Sequence, residues 1–363
     1  MKIVFIGLTI SSSWGNGHAT TYRGLLKELG LMGHDIYFLE HDKPWYSTNR
    51  DFDQSDDYQL EFYRSKEELQ KKFESLVKSA NMVIVGSYVP EGVEVSQWVL
   101  TTAKGITAFY DIDTPVTLQQ LDEGKQEYIS KSLIPDFDLY LSFSGGKVLQ
   151  QLEKIYGAKN AKALYCSVDP SIYYPMGLDK QWTLGYLGTY SDDRQPGVEE
   201  LLLRPAINLQ EKNFVVAGSG YPEEISWPEN VERISHLSPP LHREFYNRQR
   251  FTLNITRQAM VRLGYSPSVR LFEAAACGVP IISDYWEGLT DLFKDREEIF
   301  IARSTEEVMA LLRETSDEEL KRIGEAARKK VMGSHTAAHR AKELISYFEE
   351  VKYMVEEKNI LKG

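Results

Sequence analysis

The sequence predicts an α/β protein with two domains, each built on a parallel β-sheet that helices cover on both faces. Strand-like apolar runs alternate with helix-like segments, and this pattern is typical of parallel sheets. The alternation restarts near residue 182, after a segment without clear periodicity. The 363 residues suffice for about two domains that bury separate cores. Ligands are therefore expected at the carboxyl ends of both sets of strands.

The first series of elements occupies the N-terminal half. Its strands are near-continuous apolar runs, as expected for strands buried on both faces, and are predicted at 2–7, 35–40, 82–86, 106–111 and 138–143. Helices are predicted at about 20–32, 66–79 and 145–156. The run that starts at Lys2 could be mistaken for a short signal peptide, but it is better explained as the first buried strand.

The second series follows residues 169–181, which contain two prolines and form the best linker candidate. Its strands are predicted at 182–188, 213–218, 231–235, 251–255 and 279–284. A helix is expected near 198–207, and the chain is helical and charged from Thr305 onward.

Composition limits the possible functions. The net charge of −11 argues against a general nucleic-acid binder. Cys166 and Cys277 are the only cysteines, and both lie in apolar surroundings. This favours a reducing, cytoplasmic setting without disulfides or a cysteine metal site. No apolar run approaches the ~18 residues that a transmembrane segment needs.

The most informative segment is Ser266–Asp284, which is predicted to be a capped helix, a glycine stop and a buried strand. Ser266 suits the N-cap, Pro267 the first helical position, and Gly278 the C-terminus. Polar side chains cluster within two turns of the helix start, at Ser266, Ser268, Arg270 and Glu273. A helix N-terminus attracts anions, so this cluster is a candidate anion site.

Within this segment, FEAAACG followed by VPIISD and EGL resembles the donor-binding signature of GT-B glycosyltransferases, which use nucleotide sugars. The segments NVERISHLSPPLHREFY, FTLNITRQAMVRLGYSPSVRLFEA, YLGTYSDDRQP and FYDIDTPVTL are similar to the CgeB-type, spore-maturation-protein-like branch. The resemblance implies a GT-B architecture, in which two Rossmann-like domains face a cleft and the last helix returns to the first domain. The expected bounds are 1–172 (acceptor side), 173–334 (donor side) and 335–363 (returning helix).

The resemblance implies that Glu273 accepts hydrogen bonds from the nucleotide ribose. The alternative is a surface glutamate paired weakly with Arg270. Tyr265 stands eight residues before Glu273, where the retaining pattern has a second glutamate, so retention or inversion stays open.

Further donor contacts are expected after the second-domain strands. Gly188 would let the backbone approach a diphosphate, to which Thr189 and Arg194 could donate, although a simple turn would look the same. Arg257 and Arg270 are the better candidates for neutralising diphosphate charge. His236 lies in the loop that holds the base in the resembled fold.

The first strand is followed by Gly17 and His18, with Arg23 one turn further. The spacing is not G-x-G-x-x-G, so it is weak support for a dinucleotide. In the resembled fold this loop borders the acceptor and the donor sugar. His18 is therefore a candidate base or sugar contact, or simply a group at the helix N-terminus.

Asp111 and Asp113 end another strand, and alternation is expected to send both side chains to the same side. Either carboxylate could hold sugar hydroxyls or take the acceptor proton. Alternatively they brace the loop, and a metal site is the weaker third choice.

Together these features predict a cytoplasmic glycosyltransferase, hexosyltransferase-like, that moves a sugar from a nucleotide diphosphate, UDP favoured, to an unidentified small molecule, glycan or protein. No metal and no cofactor beyond the co-substrate are expected. The alternatives are a nucleotide-sugar epimerase on the same fold and a non-catalytic coat or assembly protein that binds nucleotide.

Overall fold

The computed structural model describes residues 1–13, 17–52 and 54–360, with side chains up to 357. The chain divides into two compact units. Unit 1 comprises Met1–Cys166 and the residues from Ala337 onward, and unit 2 comprises Ser167–Thr336.

Unit 1 contains a seven-stranded sheet in which every pairing is parallel. Its strands are β1 (Lys2–Gly7), β2 (Asp35–His41), β3 (Gln59–Tyr63), β4 (Met82–Gly86), β5 (Ile106–Asp111), β6 (Leu139–Ser142) and β7 (Ala161–Ala163). Its first helices are α1 (His18–Leu31), α2 (Pro44–Ser47), α3 (Lys66–Ser79), α4 (Gly92–Thr102), α5 (Thr114–Asp122) and α6 (Lys147–Lys154). The order β3-β2-β1-β4-β5-β6-β7 reverses between β1 and β4.

Unit 2 contains a six-stranded parallel sheet in the order β10-β9-β8-β11-β12-β13. Its strands are β8 (Trp182–Leu187), β9 (Phe214–Ala217), β10 (Val231–Ile234), β11 (Gln249–Asn254), β12 (Ile281–Ser283) and β13 (Phe300–Ile301). Its helices are α7 (Gln195–Val198), α8 (Arg204–Asn208), α9 (Pro239–Asn247), α10 (Gln258–Leu263), α11 (Val269–Ala276), α12 (Leu289–Leu292), α13 (Thr305–Glu314) and α14 (Asp317–Ser334). The order reverses between β8 and β11.

The last helix, α15 (Ala337–Ile360), completes the core of unit 1. Its buried residues Ala341, Leu344, Phe348 and Val351 join the apolar cluster that contains Leu25 of α1. The predicted fold class, with a C-terminal helix that returns to the first domain, is confirmed.

Local sequence explains where several helices begin. Serines at the N-cap positions of α3, α13 and α14 accept hydrogen bonds from the glutamate amides three residues on. This Ser-x-x-Glu pattern satisfies amides that the first helical turn leaves without partners. None of the described helices is long and apolar enough to cross a membrane.

The structure differs from the predicted elements in two ways. The short strands β3, β7 and β13 and the helices α2, α4, α5, α9, α10 and α12 were not predicted. The single helix expected near 198–207 is instead α7, a π-helical turn at Glu199–Leu203, and α8. Pro205 removes one amide donor from this stretch, which disfavours a continuous α-helix.

Candidate functional site

Each sheet reverses its strand order at one place, and parallel sheets bind ligands beyond the carboxyl ends of the strands at such places. We call these two places the switch-point regions. In unit 2 the region lies beyond β8 and β11, and in unit 1 it lies beyond β1 and β4 together with the neighbouring β5. Most of the predicted site residues lie in these two regions.

Asn254, the last residue of β11, organises the switch-point region of unit 2. It is fully buried, and its Oδ1 accepts hydrogen bonds from Ser268 Oγ (2.7 Å) and Arg270 Nη1 (2.9 Å). Its Nδ2 donates to Ser283 Oγ at 2.9 Å. A buried amide with several partners orients the groups around it. Asn254 therefore fixes the start of α11 and the guanidinium of Arg270.

Arg270 is only 8% exposed. Its Nε donates to the carbonyl of Leu187 at 2.6 Å, and its guanidinium lies 4.9 Å from the ring centroid of Tyr186. The remaining nitrogen, Nη2, lies beside Gly188 and has no hydrogen-bond partner among the described residues. Two hydrogen bonds thus hold the side chain, and the N–H groups of Nη2 are left for a ligand.

Two further arginines belong to the same region. Arg194 donates to the carbonyl of Thr189 at 2.5 Å, and Arg257 Nε lies 3.7 Å from the Asp193 carboxylate. Burial is the main cause that lowers the pKa of Arg194, and the positive charges of Arg270 and Arg257 lower it further. The Asp193 and Asp284 carboxylates lie near these cations, and three clustered arginines beside two carboxylates leave a positive potential that favours an anion.

Gly188 is required for packing, and its approach to a diphosphate stays a prediction. A Cβ here would lie 2.6 Å from the hydroxyl of Tyr186, so a larger residue would collide with it. The Gly188 amide donates to the Ala217 carbonyl at 2.8 Å, and its carbonyl accepts from Tyr221 Oη at 3.1 Å. The amide and the carbonyl of Gly188 both have partners. A diphosphate that approaches this glycine would therefore receive its hydrogen bonds from other residues.

Tyr186 is a further residue of this region that could contact a ligand. Its hydroxyl is buried and lacks a hydrogen-bond partner among the described residues. A buried hydroxyl without a partner is costly, so its position beside Gly188 and Arg270 is consistent with a ligand-binding role.

The predicted start of the signature helix is wrong by two residues. Helix α11 begins at Val269, and Ser268 takes the N-cap position. Ser266 instead donates to the carbonyl of Gly264 at 2.8 Å, and Ser268 donates to Asn254 rather than capping. The preceding Tyr265 has φ of 52°, a left-handed conformation that interrupts the chain before a helix can start.

Glu273 is buried, whereas the sequence suggested a carboxylate exposed in a cleft. It is 4% exposed and accepts a hydrogen bond from Tyr246 Oη at 3.0 Å. Burial, then the Glu273 charge, raises the pKa of both Tyr246 and Tyr173. Helical spacing does place Glu273 near Arg270, but α9, which carries Tyr246, packs against this part of α11.

The other predicted donor-side residues lie at the surface of unit 2. Thr189 and His236 are exposed, and Arg257 is 44% exposed. His236 follows β10, in the segment where the base contact is predicted. The role of each remains a prediction.

In unit 1, Asp111 is fully buried at the end of β5. It accepts hydrogen bonds from Tyr140 Oη and Thr117 Oγ1, both at 2.7 Å, and from the Asp113 amide at 3.3 Å. Burial raises the pKa of Asp111 to about 6, although these hydrogen bonds lower it. The expectation that Asp111 and Asp113 share one exposed side is therefore wrong for Asp111, which braces the loop.

Asp113 is half-buried and lies with two aromatic side chains from neighbouring loops. Its Oδ2 accepts from Tyr88 Oη at 2.7 Å, and the ring centroid of Tyr88 lies 5.4 Å from that of His18. Burial lowers the pKa of His18, and the negative charge of Asp113 opposes this effect. The structure thus brings together two of the three predicted catalytic residues.

Of the two predicted acceptor-side residues, Arg23 is already hydrogen-bonded within unit 1 and Gly17 is exposed. Arg23 donates to the Ile10 carbonyl (2.7 Å) and to the Asp51 carboxylate (2.5 Å), so its guanidinium already holds two loop segments. Gly17 is exposed at the N-cap position of α1.

Within the described ranges, no three His, Cys, Asp or Glu side chains cluster closely enough to hold a metal ion.

Sequence reasoning missed Asn254, Tyr186 and Tyr88. Asn254 had one usable signal, since a polar residue that ends an apolar strand faces the carboxyl edge of the sheet. Tyr88 follows Gly86-Ser87 after β4 in the same way.

One part of the chain matches the model of a known protein family. Residues 194–346, which span most of unit 2 and the first part of α15, match the model of the "Glycosyl transferase-like" family. No curated protein matches the sequence significantly.

The fold is similar to that of several solved glycosyltransferase structures. Sucrose-phosphate synthase from Thermosynechococcus elongatus has a TM-score of 0.72 at 12% identity, with 98% of this chain and 100% of that chain covered. Anabaena Alr3699/HepE in complex with UDP and glucose has a TM-score of 0.68 at 12% identity, covering 96% and 100%. An α-glucosyltransferase in complex with UDP-glucose and DNA containing an abasic site has a TM-score of 0.69 at 13% identity, covering 96% and 99%. The chain therefore has the GT-B fold that the sequence predicted.

Proposed function

We propose that this protein is a metal-independent glycosyltransferase that moves a sugar, a hexose in the simplest case, from a UDP-sugar to a hydroxyl group of its acceptor. The observation that carries the proposal is the convergence of Arg194, Arg257 and Arg270 at the switch-point region of unit 2. A molecule with a net charge of −11 concentrates cations there, which suits a diphosphate. Assignment to the CgeB-type branch and a cytoplasmic location remain part of the proposal.

The arginines act where charge grows during the reaction. As the bond between the sugar and the diphosphate breaks, negative charge accumulates on the leaving UDP. Arg270 meets this charge with a guanidinium that Leu187 and Asn254 already hold in place. Donors fixed before the reaction lower the barrier because they need no reorganisation.

The switch-point region of unit 1 supplies the base. Asp113 takes the proton from the acceptor hydroxyl as its oxygen forms the new bond to the sugar, and UDP leaves with the bonding electrons. A carboxylate is suited to this role when it stays ionised near neutral pH. His18 orients the sugar or the acceptor beside it. The stereochemical outcome and the acceptor class, whether small molecule, glycan or protein, are left open.

The names of similar structures support the choice of donor. Alr3699/HepE is described in complexes with UDP and with UDP-glucose, and the E. coli trehalose-6-phosphate structure with UDP-2-fluoro glucose. Transferred to this chain, they favour UDP over other nucleotides as part of the proposal.

A ligand panel tests the donor first. Thermal unfolding is measured with UDP, GDP, ADP, CMP and dTDP, each with and without EDTA. A ligand at a hundredfold excess over its dissociation constant stabilises the folded state by about 2.7 kcal/mol. We expect the largest shift with UDP, unchanged by EDTA.

Transfer is then measured as UDP release from UDP-glucose in the presence of mixed acceptors. A protein that no nucleotide diphosphate stabilises would contradict the proposal. Binding of UDP without any sugar transfer would instead favour a nucleotide-binding assembly protein, and isomerised sugar on the nucleotide would favour an epimerase.

A further inference from the structure

We infer that Tyr88 is a positioning residue that holds the Asp113 carboxylate beside the His18 imidazole. This inference rests on the proposed function and adds a residue to its catalytic region. Tyr88 lies in the loop between β4 and α4, Asp113 between β5 and α5, and His18 opens α1 after β1. The strands β1, β4 and β5 are neighbours in the sheet, so the three side chains meet at one edge.

The contacts of Tyr88 link both partners. Its hydroxyl donates to Asp113 Oδ2 at 2.7 Å, and its ring lies against the His18 imidazole with 5.4 Å between centroids. The other neighbour of the ring is Tyr128, at 4.7 Å. One side chain therefore contacts both the carboxylate and the imidazole.

The side chain of Asp113 does not cap the helix that it precedes. It occupies the N-cap position of α5, where an aspartate usually accepts a hydrogen bond from the first-turn amides. Its side chain makes no such capping bond, and Pro115 has no amide to offer. A capping bond would stabilise the start of α5, so directing the carboxylate to Tyr88 forgoes that stabilisation.

The backbone at Tyr88 is also strained. Its φ of 65° lies in the left-handed region, which is unfavourable for a bulky residue. The preceding residue anchors this conformation, because the Ser87 amide donates to the Tyr110 carbonyl (3.0 Å) and Ser87 Oγ accepts from the Ile112 amide (3.2 Å). Strain that the surroundings enforce is concentrated at functional sites. Here it ties the Tyr88 loop to the Asp113 loop.

The test compares Tyr88→Phe with a matched control. Phenylalanine keeps the ring and removes only the hydroxyl. Tyr156→Phe removes a similar bond, from Tyr156 Oη to Asp122 Oδ1 at 2.8 Å, in the same unit but at the opposite end of α5. We expect kcat with UDP-glucose to fall tenfold to hundredfold in Tyr88→Phe, because misplacing a catalytic group costs this much. The Kd for UDP and the activity of Tyr156→Phe should stay at the wild-type values.

A second measurement does not depend on activity. The His18 imidazole is titrated by NMR and assigned among the seven histidines by comparison with His18→Gln. Because the Asp113 charge raises the pKa of His18, Asp113→Asn should lower it further. Tyr88→Phe should shift it in the same direction, since the carboxylate is no longer held in place.

Wild-type kcat in Tyr88→Phe, or an unchanged pKa of His18, would overturn the inference, even if only one of the two is seen. A wild-type protein that neither binds UDP nor transfers sugar would instead refute the proposed function, and the inference with it. The experiments therefore distinguish a failure of the inference about Tyr88 from a failure of the proposed function.

Discussion

The two switch-point regions are built from opposite chemistry. In unit 2 three arginines, Arg194, Arg257 and Arg270, lie together, and hydrogen bonds within the unit fix Arg270 and Asn254. The buried Glu273 carboxylate of this unit accepts a hydrogen bond from Tyr246. In unit 1 the equivalent edge carries the carboxylates Asp111 and Asp113, an imidazole and a strained tyrosine. The switch-point region of unit 2 is therefore suited to binding negative charge, and that of unit 1 is suited to holding or moving a proton.

The largest effect is expected for Asp113→Asn, which keeps the shape of the side chain but cannot take a proton. Turnover should fall ~10²–10⁴-fold, whereas the Kd for UDP should hardly change. Steady-state kinetics and calorimetric titration of the same preparations measure the two quantities. Asp122→Asn, at the other end of α5, is the matched control and should keep wild-type turnover.

If His18→Ala is inactive while Asp113→Asn turns over normally, the base is His18 rather than Asp113. The proton-moving role would stay in unit 1, but the contrast would then rest on the imidazole.

The second effect is a dependence of stability on pH that comes from Asp111 and not from Asp113. Because burial raises the pKa of Asp111 to about 6, the folded state holds an extra proton between about pH 4 and pH 6. Stability should therefore fall as the pH rises through this window, by an amount on the order of 3 kcal/mol. Urea unfolding of the wild type and Asp111→Asn from pH 4 to pH 7 measures it, and the difference between the two curves isolates this carboxyl group.

Tyr140→Phe sharpens this second prediction. It removes a hydrogen bond that lowers the pKa of Asp111 in the folded state, so the upper end of the window should move to higher pH and the loss of stability across it should grow. Parallel curves for the wild type and Asp111→Asn would mean that Asp111 is not the group that titrates.

The sequence predicted the fold because strand burial and helix periodicity are properties of neighbouring residues. Burial of individual site residues depends on distant ones. Glu273 is covered by Tyr246 from α9, and Asp111 by Tyr140 from β6, and no local pattern links these pairs. The start of α11 was misplaced for a related reason, because the left-handed conformation of Tyr265, whose amide bonds to the carbonyl of Glu287, overrides the capping preference of Ser266.

The third effect is expected for Arg270→Lys, which tests the anion-binding side of the contrast. Lysine keeps the charge but loses the planar donor set that binds Leu187 and Asn254. The affinity for UDP should fall tenfold to hundredfold, while that for uridine hardly changes. Arg303→Lys, which alters an arginine stacked at 4.8 Å on Tyr285, is the control and should bind both ligands normally. Equal losses for UDP and uridine would indicate general damage to unit 2.

The smallest effect is expected for Glu273→Gln, which asks whether a buried group in unit 2 still serves a ligand. Glutamine can accept the hydrogen bond from Tyr246 but carries no charge. A hydrogen bond to a charged group contributes about 1.5–3 kcal/mol and a neutral one about 1 kcal/mol, so the free energy of unfolding should fall by about 1 kcal/mol. Tyr246→Phe removes the same bond from the other side and serves as the stability control. If Glu273 also binds the ribose, the affinity for UDP should fall up to about tenfold in Glu273→Gln but much less in Tyr246→Phe. Equal UDP affinity in the wild type and both variants would make Glu273 a purely structural residue, and unit 2 would then bind its ligand through the arginines alone.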